Sequence, residues 1–296
     1  MEKREIPDLP DSLRAAAEWI EEGLRNISLR DDPLSGLPSF AMYVLETGGK
    51  RIRPFLVKAA CEAVGGDSDT CLPAACAVEM IHTYSLVHDD LPAMDDDSTR
   101  RGKPTLHVLH GVPQALLAGN LLLVEAFGEL IKTPLGQGRV TEMARRLAVA
   151  SGPGYLVGGQ FMDLYHPGDA GREWIETMIR GKTAAMIRVS LELGALAGGA
   201  GLEILDTLSR LGDELGFLFQ LTDDILDVCG SAEEMGKEVS KDMDKGKRNL
   251  LSLMGADSAW DMARKTAERT AGGFHNLEGD WGEVASLALF LPDRRK

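Results

Sequence analysis

Two stretches of the chain, 172–197 and 203–228, carry apolar residues around most of the helical circumference instead of along one stripe. Helices of that kind satisfy their surfaces only when other helices cover them on several sides, so they belong at the centre of a bundle. The second stretch also carries Asp223-Asp224-Ile225-Leu226-Asp227 inside the otherwise apolar segment Leu215 to Val228. Asp223 and Asp227 share a helix face, and Asp224 lies roughly 100° round. Each uncompensated carboxylate in such a place costs several kcal/mol on desolvation, so a cation has to sit near it.

Helical spacing extends over most of the remaining sequence, and strands bounded by tight turns are hard to find, which predicts an all-α fold. Gly, Pro, Asp and Ser signals bound candidate helices at 11–25, 37–46, 51–65, 72–89, 113–131, 139–151, 172–197, 203–228, 232–236, 248–270 and 281–290. No Pro- or Ser-rich linker divides the 296 residues, and the Gly-rich 198–201 is short enough to join two helices, so one domain over 1–296 is expected. Lys and Arg number 32 against 46 Asp and Glu, a net charge of −14, which argues against nucleic acid as a partner. The longest apolar runs, 115–124 and 193–200, are too short for stable membrane insertion, and the N-terminus lacks a signal-like apolar stretch; a cytoplasmic protein is expected. Cys61, Cys71, Cys76 and Cys229 show no C-x-x-C spacing and read as reduced core thiols.

A second acidic cluster, His88-Asp89-Asp90-Leu91-Pro92-Ala93-Met94-Asp95-Asp96-Asp97, follows the apolar segment 77–87. A lone Asp pair is usually a solvated helix end, but two clusters, each preceded by an apolar helix, point to bound metal. Oxygen-only donors favour Mg²⁺, which keeps waters and is commonly shared between one or two carboxylates and substrate phosphates. An EF-hand loop starting at Asp89 fails, because Met94 and Arg100 stand where Gly and Glu are needed.

Phosphate also calls for direct cationic donors, and Gly48-Gly49-Lys50-Arg51-Ile52-Arg53-Pro54 and Arg100-Arg101-Gly102-Lys103 supply them in compact groups. His82 lies seven residues before Asp89, on the same helix face, and could meet a second anion. His107, His110 and His166 have no such placement and read as structural. Lys182, Thr183 and Gln220 sit in apolar helices and need polar partners there; Lys237 and Lys247 fall in a loop that could close over phosphate.

With these residues in place, the chain resembles the short-chain trans-prenyl diphosphate synthases, most closely the bacterial farnesyl diphosphate synthases. GGKRIRPFLV, HTYSLVHDDLPAMDDDSTRRGKPTLH, GGQFMDL, GKTAAMI and FQLTDDILDV occur in the family's order across nearly the whole chain. The resemblance implies an all-α isoprenoid-synthase bundle around a central cavity, usually a homodimer, with three Mg²⁺ on an allylic diphosphate. By motif match, Asp89, Asp90 and Asp95 are one ligand set and Asp223, Asp224 and Asp227 the other. Gly49, Lys50, Arg53, His82 and Arg101 match the isopentenyl diphosphate site, and Arg100, Lys182, Lys237 and Lys247 the allylic diphosphate contacts. Thr183 and Gln220 oxygens, with the Lys182 carbonyl, would stabilise an allylic carbocation, which the double bond of isopentenyl diphosphate attacks in a 1′-4 condensation.

The resemblance also makes Tyr84, with Ser85, the floor of the product pocket: Tyr84 lies five residues before Asp89, about 7.5 Å along a helix. An aromatic ring there implies C15, farnesyl diphosphate, with C20 as the alternative. Three positions depart from the family pattern: Ser240 replaces a Gly, Asn249-Leu250 replaces a Thr-Tyr or Ser-Tyr pair, and Pro292 is expected to disturb the last helical turn. A class I terpene cyclase would usually carry an Asn/Ser/Glu motif in place of the second Asp cluster, a helical metal phosphohydrolase would need more histidine ligands, and a non-catalytic synthase subunit usually has eroded Asp motifs. Asp223 to Asp227 and GGKRIRP argue against the cyclase, the poor placement of the six histidines against the phosphohydrolase, and the two intact Asp clusters against the inactive subunit.

Overall fold

A computed structural model of the protein describes residues 9–27, 36–234 and 249–294, leaving aside the side chains of 9–10 and 229–234. In chain order the helices are α1 (Leu9–Arg25), α2 (Leu37–Leu45), α3 (Ile52–Ala63), α4 (Ser68–Asp89), α5 (Leu106–His110), α6 (Val112–Leu130), α7 (Gln137–Ser151), α8 (Leu156–Leu164), α9 (Arg172–Ile179), α10 (Ala185–Ala197), α11 (Leu202–Glu234), α12 (Leu250–Met254), α13 (Ala256–His275) and α14 (Gly282–Phe290). A two-residue hairpin, β1 (Thr99–Arg100) with β2 (Lys103–Pro104), is the sheet among the described residues. The all-α expectation therefore holds. No described helix is long and apolar enough to cross a membrane.

The chain gathers into two compact units, Pro10–Leu147 with Leu193–Gly199, and Met1–Leu9 with Ala148–Glu192 and Ala200–Lys296. In the first, α4 is the central element, packed between α6 and α3 with α2 alongside. It is buried on nearly every side, from Cys71 through the run Ala74–Ile81 to Tyr84 and Val87, which is why its sequence shows no stripe. Asp67 starts it a turn earlier than expected, its carboxylate accepting from Asp69 N at 2.9 Å. Cys61, Cys71 and Cys76 are buried free thiols, as expected; the Cys229 side chain lies outside the described residues.

In the second unit, α11 packs against α13 and against a π-helical turn, Arg180–Ala184, that interrupts the expected continuous helix 172–197. Such a turn squeezes an extra residue into a helix and is common at functional sites. The GGQFMDL segment forms α8, a helix that sequence periodicity does not announce because two glycines dilute it. The glycines have a use: a Cβ on Gly159 would lie 2.2 Å from Lys182 N, so only glycine lets α8 meet the π turn. The expected 232–236 helix merges into α11, described to Glu234. The expected 248–270 helix divides at Gly255, whose φ of 79° breaks α12 from α13, and α13 then runs on to His275.

Candidate active site

The first acidic cluster is shaped by backbone bonds close in sequence. α4 ends at Asp89, and Asp95 N returns to the Asp89 carbonyl at 2.8 Å while Asp96, in the left-handed region at φ 55°, bonds back to Leu91. The loop thereby brings Asp95 back to the end of the helix that carries Asp89 and Asp90. Next comes the hairpin, whose central residues Arg101 and Gly102 both have positive φ (53° and 74°), the type I′ pattern that suits a two-residue connection. The hairpin folds Arg100 onto Asp90, with Nε 2.8 Å and Nη2 2.6 Å from Oδ1. Burial raises the Asp90 carboxyl above its ordinary range, and Arg100 opposes that rise. Burial alone would lower the Arg100 guanidinium, but its bond to Asp90 and the charges of Asp90, Asp97 and Asp89 more than reverse this.

Of the cationic residues assigned from sequence, Lys50, Arg53, Arg100 and Arg101 lie in this same unit, with His82. Arg101 bonds the Gly48 carbonyl and lies so close to Gly49 that a Cβ there would meet its guanidinium at 2.6 Å. His82 is held well below its ordinary value, first by burial and then by Arg53, Arg101, Arg100 and Arg51, so it stands neutral as a donor and acceptor. Lys50 is exposed at the end of the glycine turn. Arg51 is different: it is buried, pairs with Glu79 and donates to the Leu45 carbonyl, so it anchors the turn that presents Lys50 and Arg53. Asp90, Arg100 and Arg101 also line one small open cleft, with Thr47, Thr83 and Tyr43.

Tyr84 is 6% exposed and stands edge-on to His88, ring centroids 5.7 Å apart. His88 Nε2 lies 3.1 Å from the Leu116 carbonyl, in a gap that Gly119 leaves on α6. Ser85 turns its hydroxyl onto the His82 carbonyl of its own helix, 2.8 Å away.

In the second unit the π turn aims two sequence-assigned groups, Lys182 and Thr183, and α11 carries a third, Gln220. Lys182 Nζ donates to Asp163 Oδ2 of α8 at 2.6 Å, Thr183 Oγ1 donates to Gln220 Oε1 at 2.8 Å, and Gln220 Nε2 donates to Asp224 Oδ1 at 2.9 Å. Asp223 is held by Arg294, which also reaches Thr222 Oγ1 at 3.3 Å and lies over the Phe219 ring. Asp227 is exposed on the same helix. Asp163 was not singled out from sequence, where GGQFMDL was its signal; Arg294 was noted there only as matching the family's C-terminal aromatic followed by Arg, with no partner assigned. Lys237, Ser240 and Lys247 lie outside the described residues. Asn249 caps α12 in a reciprocal box with Ser252 and Leu250 is buried, so this departure does local structural work. α14 does stop before Pro292, which sits in a 3-10 turn, Leu291–Asp293.

The donors fit Mg²⁺ in kind. Asp89 and Asp90 are buried oxygen donors that need positive charge, and no group of three or more metal-binding side chains is preassembled among the described residues. Mg²⁺ suits that arrangement because it takes one or two carboxylates and fills its shell with water and phosphate oxygens.

The polyprenyl synthetase family model matches residues 35–278, from just before α2 to just past α13, a range that holds both acidic motifs. The chain belongs to the polyprenyl synthetase family. It is 46% identical over 295 residues to geranylgeranyl pyrophosphate synthase 7, chloroplastic, of Arabidopsis thaliana, covering 97% of this chain and 84% of that one. It is 42% identical over 257 residues to the large subunit 1 of a heterodimeric geranylgeranyl pyrophosphate synthase of the same plant, covering 84% and 69%. Among solved structures, an FPP/GFPP synthase from Zymomonas mobilis matches with a TM-score of 0.83 at 30% identity, covering 97% of this chain and 99% of that one. A geranyltransferase from Helicobacter pylori complexed with magnesium and isoprenyl diphosphate matches with a TM-score of 0.82 at 28% identity, covering 99% and 98%. The family is one of prenyltransferases, as the sequence motifs implied. The two plant relatives are named for geranylgeranyl pyrophosphate, not for the farnesyl product expected from Tyr84.

Proposed function

We propose that the protein condenses isopentenyl diphosphate head-to-tail with allylic diphosphates in the presence of Mg²⁺, and that its principal product is geranylgeranyl diphosphate. The observation that carries the reaction class is the first unit's arrangement, in which Asp89, Asp90 and Asp95 share the end of one helix with a cationic group made of Arg53, Arg100, Arg101 and neutral His82. A cyclase needs no cationic site for a second diphosphate.

Asp89, Asp90 and Asp95 would hold Mg²⁺ in one cluster and Asp223, Asp224 and Asp227 in the other. When bound, the metal supplies positive charge to the departing diphosphate. Arg100 and Lys182, already oriented by Asp90 and Asp163, bind the allylic diphosphate oxygens and add fixed charge there. Lys237 and Lys247 are assigned to the same diphosphate. Lys50, Arg53, Arg101 and His82 bind isopentenyl diphosphate, with Gly49 leaving room for the Arg101 guanidinium. Thr183 and Gln220 oxygens, fixed against each other at 2.8 Å, face the allylic cation with the Lys182 carbonyl, and the released diphosphate takes the proton. The exposed α5–α6 residues Val108, Leu109, Val112, Leu117 and Val124 support pairing of two chains.

A second reading, farnesyl diphosphate as main product, is favoured by the buried Tyr84 ring fixed against His88. Labelled isopentenyl diphosphate, supplied with dimethylallyl, geranyl or farnesyl diphosphate and followed by chain-length analysis, separates the two. Accumulation of C20 from all three starters is the expected result. Arrest at C15 selects the second reading, and no incorporation by folded protein overturns both.

A further inference from the structure

Arg294 is the residue after the final 3-10 turn, and its side chain is 3% exposed. A guanidinium so deeply placed needs a counter-charge, and it finds one on Asp223 Oδ1, with Thr222 Oγ1 3.3 Å away and the Phe219 ring 4.7 Å from its central carbon. Its Nε is buried without a partner. The seat is thus made by successive residues of α11, the helix that carries the second acidic motif. It joins a residue 71 positions away to the first carboxylate of that motif.

Asp223 is more accessible than its partner, at 36% exposure, so a hydrated ion can approach it, but the guanidinium occupies its Oδ1. Two cations then compete for one carboxylate. We propose that Arg294 is a resident counter-cation of Asp223 in the second acidic motif, and that a divalent metal takes Asp223 only by displacing the Arg294 side chain, so that metal loading releases the C-terminal turn. This rests on the reading of Asp223 as a metal ligand. The exchange is non-covalent and leaves Arg294 charged and hydrated. Its cost appears as weaker metal binding, because the fraction of Asp223 free of Arg294 scales the apparent affinity.

The test uses the full chain, with Mg²⁺ titrated calorimetrically in the presence of saturating inorganic pyrophosphate. Arg294→Gln is expected to bind Mg²⁺ about tenfold more tightly than wild type, the worth of one charge-assisted hydrogen bond, with Arg294→Lys between them. In the Asp223→Asn background the same Arg294→Gln change is expected to do nothing, which separates this motif from metal bound elsewhere. Amide hydrogen exchange over 287–294 in the wild type is expected to quicken on addition of Mg²⁺ and pyrophosphate. Unchanged or weaker Mg²⁺ binding in Arg294→Gln overturns the proposal and leaves the ligand reading intact. Wild type that takes up no Mg²⁺ overturns both. Should Arg294→Gln fail to fold, wild-type exchange decides: slowing or constancy over 287–294 overturns the proposal.

Discussion

The two acidic motifs are each held by an arginine, but with burial reversed. Asp90 is 6% exposed and its Arg100 is 33% exposed; Asp223 is 36% exposed and its Arg294 is 3% exposed. In the first motif the acid is the group that cannot do without its partner, and in the second it is the base. The connections differ as well. Arg100 is ten residues from Asp90 and is delivered by a two-residue hairpin, whereas Arg294 arrives from the end of the chain. One motif is complete as soon as its own loop folds, and the other is completed only by the last turn.

The largest effect removes what the motifs share. Asp89→Ala and Asp223→Ala are each expected to lower prenyl transfer by on the order of 10²-fold or more in folded protein, measured as isopentenyl diphosphate incorporation. Full activity in either would remove that motif from the metal assignment. The reversal itself is tested by stability. Losing the exposed partner strands the buried charge, so Arg100→Gln should cost about 3 kcal/mol and Asp90→Asn about 1. The order inverts in the second motif, where Asp223→Asn should cost about 3 kcal/mol and Arg294→Gln about 1. Urea unfolding of the four variants gives the pattern, and equal costs within each pair would contradict it.

Product length should follow the first motif's helix alone. Tyr84→Ala is expected to lengthen the product beyond that of wild type, while Gln220→Glu changes rate without changing length. A smaller effect concerns acid. His82 stays unprotonated in the fold below its ordinary 6.5, while the unfolded chain takes up a proton there. Stability is therefore present above pH 6.5 and drains as pH falls below it, by up to about 1.4 kcal/mol per pH unit for one proton. His82→Gln should flatten that slope in thermal melts across pH 5 to 7; an unchanged slope would assign it to other groups.

What the sequence made legible follows the same division. Asp89, Asp90, Asp95, Arg100, Arg101 and His82 all lie between positions 82 and 101, so spacing grouped them, whereas Lys50 and Arg53 joined them only through the family resemblance. Lys182, Thr183 and Gln220 were marked because each polar residue stood in an apolar helix and had to be satisfied, but that Thr183 meets Gln220 was legible only in the structure. Asp163 was not singled out, and Arg294 matched the family's C-terminal ending without its partner being legible, since no periodicity links 294 to 223 or 163 to 182, and contacts at that separation arise only from tertiary packing. The π turn escaped for a related reason: the apolar pattern of 172–197 runs through it unbroken, and the extra residue is imposed by Gly159 and α8 packed against it. Gly255 divided the 248–270 segment because its left-handed conformation ends a helix that periodicity would continue.

The most direct test of the account compares purified wild-type protein with and without Mg²⁺, after stripping with a chelator, in the transfer of labelled isopentenyl units to dimethylallyl, geranyl and farnesyl diphosphates. The account expects incorporation that disappears on stripping, returns with Mg²⁺ and yields all-trans products up to C20. Incorporation that persists without a divalent ion, or a folded protein that incorporates nothing from any starter, would contradict it.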